Sequence, residues 1–240
     1  MREENIAVFG SMQGGWEAFH QLCADSAPDL AVFTGDLCLE QPLELELADF
    51  LAEGGKVLWV PGGQDTATPE RYDNLFGGAL GASNLSGRVV EASGVRWAGL
   101  GGVFRSDIWL PGTASTFESR ALWLATNPET RWRGGMPLEH RATVFPEDTD
   151  ALAALQADVL VSHEAPSSHA NGWRIVDAVA EAMGVHTVVH GGAQEAYQAT
   201  LPNGIRVVGI ADGALWAPVG LERRGAQWLN PAATGGAYGR

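Results

Sequence analysis

Seven short apolar segments, each ending in glycine or small polar residues, constrain the fold of this 240-residue chain most strongly. Short apolar runs that are bounded by turn residues are typical of buried β-strands. The segments read NIAVFGS, DLAVFTGD, KVLWVPGG, VRWAGLGG, ADVLVSHEAP, HTVVHGG and IRVVGIADG.

Helical segments alternate with several of these strands. Apolar residues recur at spacings of three and four in GWEAFHQLCADS, PLELELADFLAEGG, DTDALAALQ and GWRIVDAVAEAMG, which predicts amphipathic helices. The repeated order of strand, glycine turn and helix is typical of a layered α/β fold with parallel strand pairing. Functional groups in such folds gather where the carboxyl ends of the strands meet the loops.

Length and composition predict a single domain over residues 1–229. A chain of 240 residues that is 45% apolar is long enough to bury one large core. The small, glycine-rich segment 230–240 is expected to form a flexible tail. The irregular segment 103–141 is rich in tryptophan and arginine, and we interpret it as a rim or lid.

Charge and cysteine content predict the cellular setting. The formal net charge of −14 argues against nucleic acid as a partner, because binding to phosphate backbones depends on clustered lysine and arginine. No apolar run approaches the ~20 residues of a membrane helix, and the first residues lack a signal-peptide pattern. Cys23 and Cys38 are too few for a disulfide framework. We therefore expect a cytoplasmic protein with free thiols and no membrane partner.

The strand ends, read in chain order, carry a recognisable set of motifs: FGSMQGG, FTGDL, VPGGQDT, GLGG, VSHEAP and VVHGGAQEAY. Their order and spacing resemble the calcineurin-like metallophosphoesterase superfamily. Its members carry D-x-H-G, G-D, G-N-H-D or G-N-H-E, a lone histidine after a strand, and G-H-x-H at these places. The resemblance extends from Ile6 to about Leu221. It implies a four-layer α/β/β/α sandwich of two mixed sheets.

The resemblance also implies where two catalytic metal ions would bind. In that family a carboxylate bridges the ions, and a metal-bound hydroxide attacks phosphorus. The bridging Asp is retained as Asp36, the lone His as His163 and a following acid as Asp65. The other positions differ: the family's first Asp and His fall on Ser11 and Gln13, its metal-binding Asn on Gly63, its catalytic His on Gln64, and the histidines of G-H-x-H on Gly192 and Gln194.

These replacements predict a catalytically inactive protein. Only Asp36 and His163 remain as possible metal ligands, whereas stable catalytic sites present three or more good protein ligands. Gln64 cannot act as an acid or base near neutral pH. We interpret the chain as a pseudo-enzyme without an expected metal or other cofactor, acting as a binding or scaffold module for an unknown protein or small molecule.

Other interpretations stay open from the sequence. A phosphoesterase with an atypical or weakened site would bind divalent Mn, Fe, Zn or Ni, and a small-molecule binder would use the emptied pocket. Asp36 is more typical of a turn-capping carboxylate than of a ligand, and His163 is equally typical of a structural hydrogen bond and of a ligand. Ser11 as a nucleophile lacks the Ser-x-Gly elbow and a base with an orienting acid.

The segment 103–141 is a second candidate for binding a partner, because tryptophan and arginine are enriched at binding hot spots. Such a role predicts an exposed apolar patch there. The alternative is ordinary packing, with tryptophans in the core and arginines directed outward. The candidate rim residues are Arg105, Trp109, Arg120, Trp123, Arg131, Trp132 and Arg133.

Overall fold

The computed structural model describes residues 5–193 and 195–217, together with the backbone of Gln227–Leu229. The tail expected at 230–240 lies outside the described residues. Within them the strands are β1 (Ile6–Phe9), β2 (Leu30–Phe33), β3 (Lys56–Trp59), β4 (Val89–Ala92), β5 (Val95–Leu100), β6 (Val159–Ser162), β7 (Thr187–Ala193), β8 (Tyr197–Thr200), β9 (Arg206–Ala211), β10 (Leu215–Ala217) and β11 (Gln227–Leu229).

The helices begin at recognisable local signals. The Thr68 hydroxyl accepts a hydrogen bond from the Arg71 N–H, and the Ser119 hydroxyl accepts one from the Leu122 N–H. Each of these hydroxyls satisfies a backbone donor at the start of a helix. The helices are α1 (Glu17–Ser26), α2 (Leu43–Glu46), α3 (Ala48–Ala52), α4 (Pro69–Phe76), α5 (Arg120–Thr126), α6 (Pro146–Ala153) and α7 (Arg174–Ala182).

Two mixed sheets are formed. The first has the order β11-β10-β1-β2-β3, and the second has the order β4-β5-β6-β7-β9-β8. Parallel pairs join β1 to β2 and β2 to β3 in the first sheet, and run from β5 through β6 and β7 to β9 in the second. The remaining strands pair antiparallel at the edges and at β10.

The sheets pack face to face and are covered by helices on their outer faces. Alternate residues of β1 show the division: Ile6 and Val8 belong to a core built from both sheets, whereas Ala7 and Phe9 pack with residues of α1 and α3. Side chains of α6 and α7 pack with the outer face of the second sheet. These layers confirm the predicted four-layer sandwich of two mixed sheets.

The sequence prediction was less complete at the sheet edges. All seven predicted strands are present, but the edge strands β4 and β8 and the short β10 and β11 were not predicted. The helix expected over residues 42–55 is divided into α2 and α3 at Leu47, whose backbone has φ −103° and ψ 15°. No helix of the described residues is long and apolar enough to cross a membrane.

The core between the sheets is expected to dominate stability. Leu30 is fully buried in it, so Leu30→Ala should lower the free energy of unfolding by about 2–5 kcal/mol, through lost burial and a residual cavity. The matched variant Leu45→Ala removes a side chain that is 60% exposed and should change it by no more than about 0.5 kcal/mol. Urea unfolding at pH 7 measures both, and equal costs would contradict this assignment of the core.

Candidate functional site

The loops after several strands of both sheets meet at one edge of the sandwich. There the loops after β1 and β2 carry Ser11 and Asp36, and the loop after β6 carries His163. Gly192 lies near the end of β7. The structure thus brings together the pocket residues predicted from the first, second, sixth and seventh strands. Gln194 lies outside the described residues.

Ser11 links the two sheets directly. Its side chain is fully buried, and its hydroxyl oxygen accepts a hydrogen bond of 3.0 Å from the Gly192 N–H. The same hydroxyl lies near the Asp212 carboxylate and lowers its pKa. Ser11 and Gly192 occupy positions where the resemblance implies an Asp and a His bound to metal, and here a direct hydrogen bond joins them.

Asp36 and His163 face each other across the same edge. Nδ1 of His163 lies 2.9 Å from the Thr34 carbonyl oxygen, and since a carbonyl only accepts, Nδ1 must donate. The other ring nitrogen, Nε2, lies 3.7 Å from Oδ2 of Asp36. Oδ1 of Asp36 accepts from the Gln64 N–H at 2.8 Å. Both predicted roles, capping a turn and a structural hydrogen bond, are present.

Asp65 holds the backbone of the site in place. Its carboxylate accepts from the Gly62 N–H at 2.8 Å and from the Cys38 N–H at 3.1 Å. Burial is the main reason that its pKa is raised to about 6, against the lowering effect of those two hydrogen bonds. Gln13 and Gln64 are exposed at the surface. Neither amide provides a strong metal ligand or an acid.

The two glycines of the site differ in the space beside them. A Cβ built on Gly63 would lie 3.3 Å from Cγ1 of Val103, so a neighbouring side chain limits the room there. A Cβ built on Gly192 would meet nothing closer than the His163 carbonyl oxygen at 3.9 Å. Gly192 has φ +67°, an angle that residues with a side chain rarely adopt. The open space there therefore does not make a larger residue easy to place.

Asp212 was missed by the sequence prediction. It follows directly after β9, at the same edge as the other strand-end residues, and that position was the signal that could have identified it. Burial raises the pKa of its carboxyl, the Ser11 hydroxyl lowers it, and the nearby Asp36 raises it further. Asp36, Asp212 and His163 are therefore electrostatically coupled.

A second polar cluster lies behind the site around His190. This ring is fully buried, and its Nδ1 donates to the Gly191 carbonyl at 2.8 Å. Nε2 consequently accepts from the Tyr197 hydroxyl at 2.8 Å, and the Tyr197 oxygen lies 3.3 Å from the Ser168 hydroxyl. The His169 ring stacks on the Tyr197 ring with 5.7 Å between centroids.

Most tryptophans and arginines of segment 103–141 pack against or pair with other residues of the fold. Trp123 is buried, and the Arg120 guanidinium pairs with Asp148 at 2.6 Å. Among the large apolar side chains of this segment only Leu122 is exposed, at 48%. The exposed apolar patch expected for a binding rim is therefore not observed. The remaining rim residues are half-buried or exposed: Arg105, Trp109, Arg131, Trp132 and Arg133.

Comparison with known sequences identifies a close relative. Over 208 residues the chain is 36% identical to an uncharacterised protein of Haemophilus influenzae, and the match covers 85% of this chain and 91% of that protein. The chain and this Haemophilus influenzae protein belong to one family. No protein-family model matches the chain.

Comparison with solved structures identifies the fold. TT1561 of Thermus thermophilus matches with a TM-score of 0.59 at 18% identity, over 95% of this chain and 98% of that chain. A phosphopantetheinyl hydrolase of Mycobacterium tuberculosis and a dimetal phosphatase of Danio rerio each match with a TM-score of 0.51, at 17% and 12% identity; each match covers 89% of this chain and 92% of the other. The fold is that of the calcineurin-like metallophosphoesterases, as the strand-end motifs predicted.

The side chains at the metallophosphoesterase metal positions do not fit a two-ion centre. Within residues 5–193 and 195–217, no group of three or more His, Cys, Asp or Glu side chains could hold a metal ion. Ser11 is engaged by the Gly192 N–H, and Val103 lies against Gly63. Asp36 and His163 are the two metal-ligating side chains that face each other.

The Ser11 hydrogen bond should contribute to the stability of this metallophosphoesterase fold. Ser11→Ala leaves the Gly192 N–H without this partner, so we expect a loss of about 1–2 kcal/mol in the free energy of unfolding. Ser26→Ala, at the exposed end of α1, is the matched control. Urea unfolding without added metal measures both variants. A Ser11 variant as stable as the control would show that this link between the sheets does not contribute to the free energy of unfolding.

The titration of two buried groups makes the free energy of unfolding depend on pH in opposite directions. Burial lowers the pKa of His190 from 6.5 to about 4, so between these values the unfolded chain binds a proton that the folded chain does not. Stability therefore falls as pH falls through that window. The pKa of Asp65 is raised from 3.8 to about 6, so the folded chain binds its proton first. That contribution rises as pH falls from about 6 to about 4.

Replacing His190 should expose this balance. His190→Gln keeps an acceptor for the Tyr197 hydroxyl but removes the titrating ring. The difference in free energy of unfolding between the variant and the unsubstituted protein should shift by about 2–3 kcal/mol in favour of the variant as the pH falls from 7 to 4.5. Urea unfolding at several pH values measures the difference, with His186→Gln at an exposed position as the control. A difference that does not change with pH would contradict the assignment of His190 as a buried neutral group.

Proposed function

We propose that this protein is a non-catalytic member of the metallophosphoesterase fold that binds a partner or small molecule at the strand-end pocket. The observation that carries the proposal is the hydrogen bond between the Ser11 hydroxyl and the Gly192 N–H. It supplies directly, between the two sheets, the connection that the resemblance assigns to a metal ion. A fold held together in this way does not need a metal at that position.

The chemistry around the pocket supports the same proposal. Phosphoester hydrolysis on this fold needs a metal-bound hydroxide and an acid for the leaving group. Gln64 stands at the position of the catalytic His, and its amide cannot act as an acid or a base near neutral pH. The buried Asp65 is committed to two backbone N–H groups. Binding without turnover is the function that these side chains support.

The pocket is a better candidate for the binding surface than the rim of segment 103–141. Most rim side chains already have intramolecular partners, such as Asp148 for Arg120 and Asp73 for Arg133. At the pocket, the open space beside Gly192 and the Nε2 atom of His163, which faces Asp36, remain available for a ligand. We place the protein in a reducing cytoplasm, where Cys23 and Cys38 stay free thiols, and assign it no nucleic-acid partner.

One geometric feature favours a second function, a phosphoesterase with a weakened metal site. The His163 ring is oriented by the Thr34 carbonyl so that Nε2 faces Oδ2 of Asp36 at 3.7 Å. Orientation of a histidine through its other ring nitrogen is a common arrangement at metal sites. A single divalent ion on these two side chains would leave most of its coordination to water.

Metal content and turnover distinguish the two functions. The purified protein is incubated with Mn²⁺ and Zn²⁺, desalted, analysed for bound metal, and assayed with bis-p-nitrophenyl phosphate. The proposal predicts metal well below one ion per chain and no hydrolysis above buffer. Stoichiometric metal with turnover that Asp36→Asn abolishes would overturn it and establish the phosphoesterase. Unfolding curves with and without metal confirm that the Asp36 variant is folded.

A further inference from the structure

A long groove lies on the outer face of the first sheet, between α1 on one side and α2 and α3 on the other. Its larger part has a volume of about 710 Å³. A smaller depression of about 270 Å³ beside the start of α1 shares His20 and Glu46 with it. The two depressions form one groove, the α1 groove, which is lined by residues within segments 14–24 and 38–53. None of the described residues of the strand-end pocket lines it.

The α1 groove presents apolar surface to a partner. Phe19 and Phe50 line it and are buried, whereas the Leu45 side chain, which also lines it, is 60% exposed. Among the described residues, the other exposed large apolar side chain is Leu122. The remaining exposed apolar residues of the groove are small, so a partner can approach closely: Ala24, Ala48 and Ala52. Covering Leu45 would remove apolar surface from water.

The charge of the α1 groove is negative along its length. Among the described residues, no lysine or arginine lines either depression, and His20 is their one basic side chain. The carboxylates that line the groove are those of Glu17, Glu40, Glu46, Asp49 and Glu53. A groove with one sign of charge and an apolar wall favours partners of the opposite charge.

Both walls of the groove take part in this charge distribution. Nε2 of His20 on α1 lies 3.0 Å from Oε1 of Glu46 on α2, so Glu46 already has an intramolecular partner. At the other end, burial is the main cause of the raised pKa of the Cys23 thiol on α1, and the Glu53 carboxylate raises it further. Glu53 therefore faces α1 across the groove. Asp49 and Glu53 are exposed, where a cationic partner can reach them.

Charge and shape together select the occupant. A second copy of this chain, with its net charge of −14, would bring an acidic protein against these carboxylates, and like charges repel. A partner that carries lysine or arginine beside its apolar side chains would meet complementary charge. The groove follows α1, whose ten residues span about 15 Å. A helix presents an apolar stripe along such a length and can lie in a groove of this kind.

We infer that the α1 groove binds a basic amphipathic helix of a partner protein. Leu45 packs against the apolar face of that helix, and Asp49 and Glu53 pair with its lysine or arginine side chains. The groove is separate from the strand-end pocket, so the inference does not depend on whether that pocket is catalytic or binds a ligand. Its test can therefore succeed or fail independently of the proposed function.

A synthetic peptide tests the groove directly. The probe is a fluorescein-labelled helix of about 14 leucine and lysine residues, with the leucines on one face. Fluorescence anisotropy with the full chain in about 0.15 M salt should show saturable binding. A peptide of the same composition, with leucines distributed around the helix, should bind about tenfold more weakly. A peptide with glutamate in place of lysine should not bind. Absence of saturable binding of the probe would overturn the inference.

Two leucine variants locate the binding surface. Leu45→Asn should weaken binding of the probe by about tenfold, because the apolar contact of the leucine is lost. Leu122→Asn, which changes the exposed leucine on α5, is the matched control and should bind the probe like the unsubstituted protein. Both positions are exposed, and circular dichroism checks that both variants are folded. Equal binding by the two variants would show that the groove is not the binding surface.

Paired charge variants separate local from general attraction. Asp49→Asn with Glu53→Gln should weaken binding of the probe by about fivefold and reduce its dependence on salt. Glu129→Gln with Asp150→Asn makes the same change in net charge at exposed positions outside the groove and should bind normally. Equal weakening by both pairs would contradict the inference. So would a dimer of the unsubstituted chain, measured by sedimentation velocity, that Leu45→Asn dissociates, because a second copy would then occupy the groove.

Discussion

The predominantly apolar contact between the two sheets is the constraint on which the rest of this structure depends. Side chains such as Val8, Val32, Val161 and Val189 are fully buried between the sheets, where they cannot carry polar chemistry. Apolar burial is non-directional, and it is the dominant favourable term in folding. Polar groups are consequently displaced to the loops that follow the strands, and the parallel strands bring several of those loops to one edge.

At that edge, hydrogen bonds join the two sheets. Ser11 reaches from the first sheet to Gly192 of the second, and His163 reaches back to the Thr34 carbonyl. Each bond satisfies a buried or half-buried polar group, which would otherwise cost free energy. Neighbouring carboxylates repel one another. Among the described residues of this edge, Asp36 raises the pKa values of both Asp65 and Asp212.

The surroundings of the edge show how differently polar groups are treated within one fold. His190 is buried and kept neutral by a defined set of partners, whereas the Ser86 hydroxyl has none among the described residues. Asp65 is buried and supported by backbone donors. Satisfied groups such as His190 and Asp65 stabilise a single arrangement.

The sequence by itself determined seven of the described strands, their order along the chain and the residues at their ends, because glycine turns and apolar periodicity act locally. The resemblance of the strand-end motifs to a known superfamily then implied the sandwich and placed Asp36 and His163 at one edge. The tertiary structure alone decided the partners: Asp212 beside Ser11, Tyr197 beside His190, Val103 against Gly63, and Trp123 inside instead of on a rim. Apart from the His190–Tyr197 pair, these contacts join residues far apart in the chain. No local pattern encodes them, because they depend on how the two sheets and their loops pack.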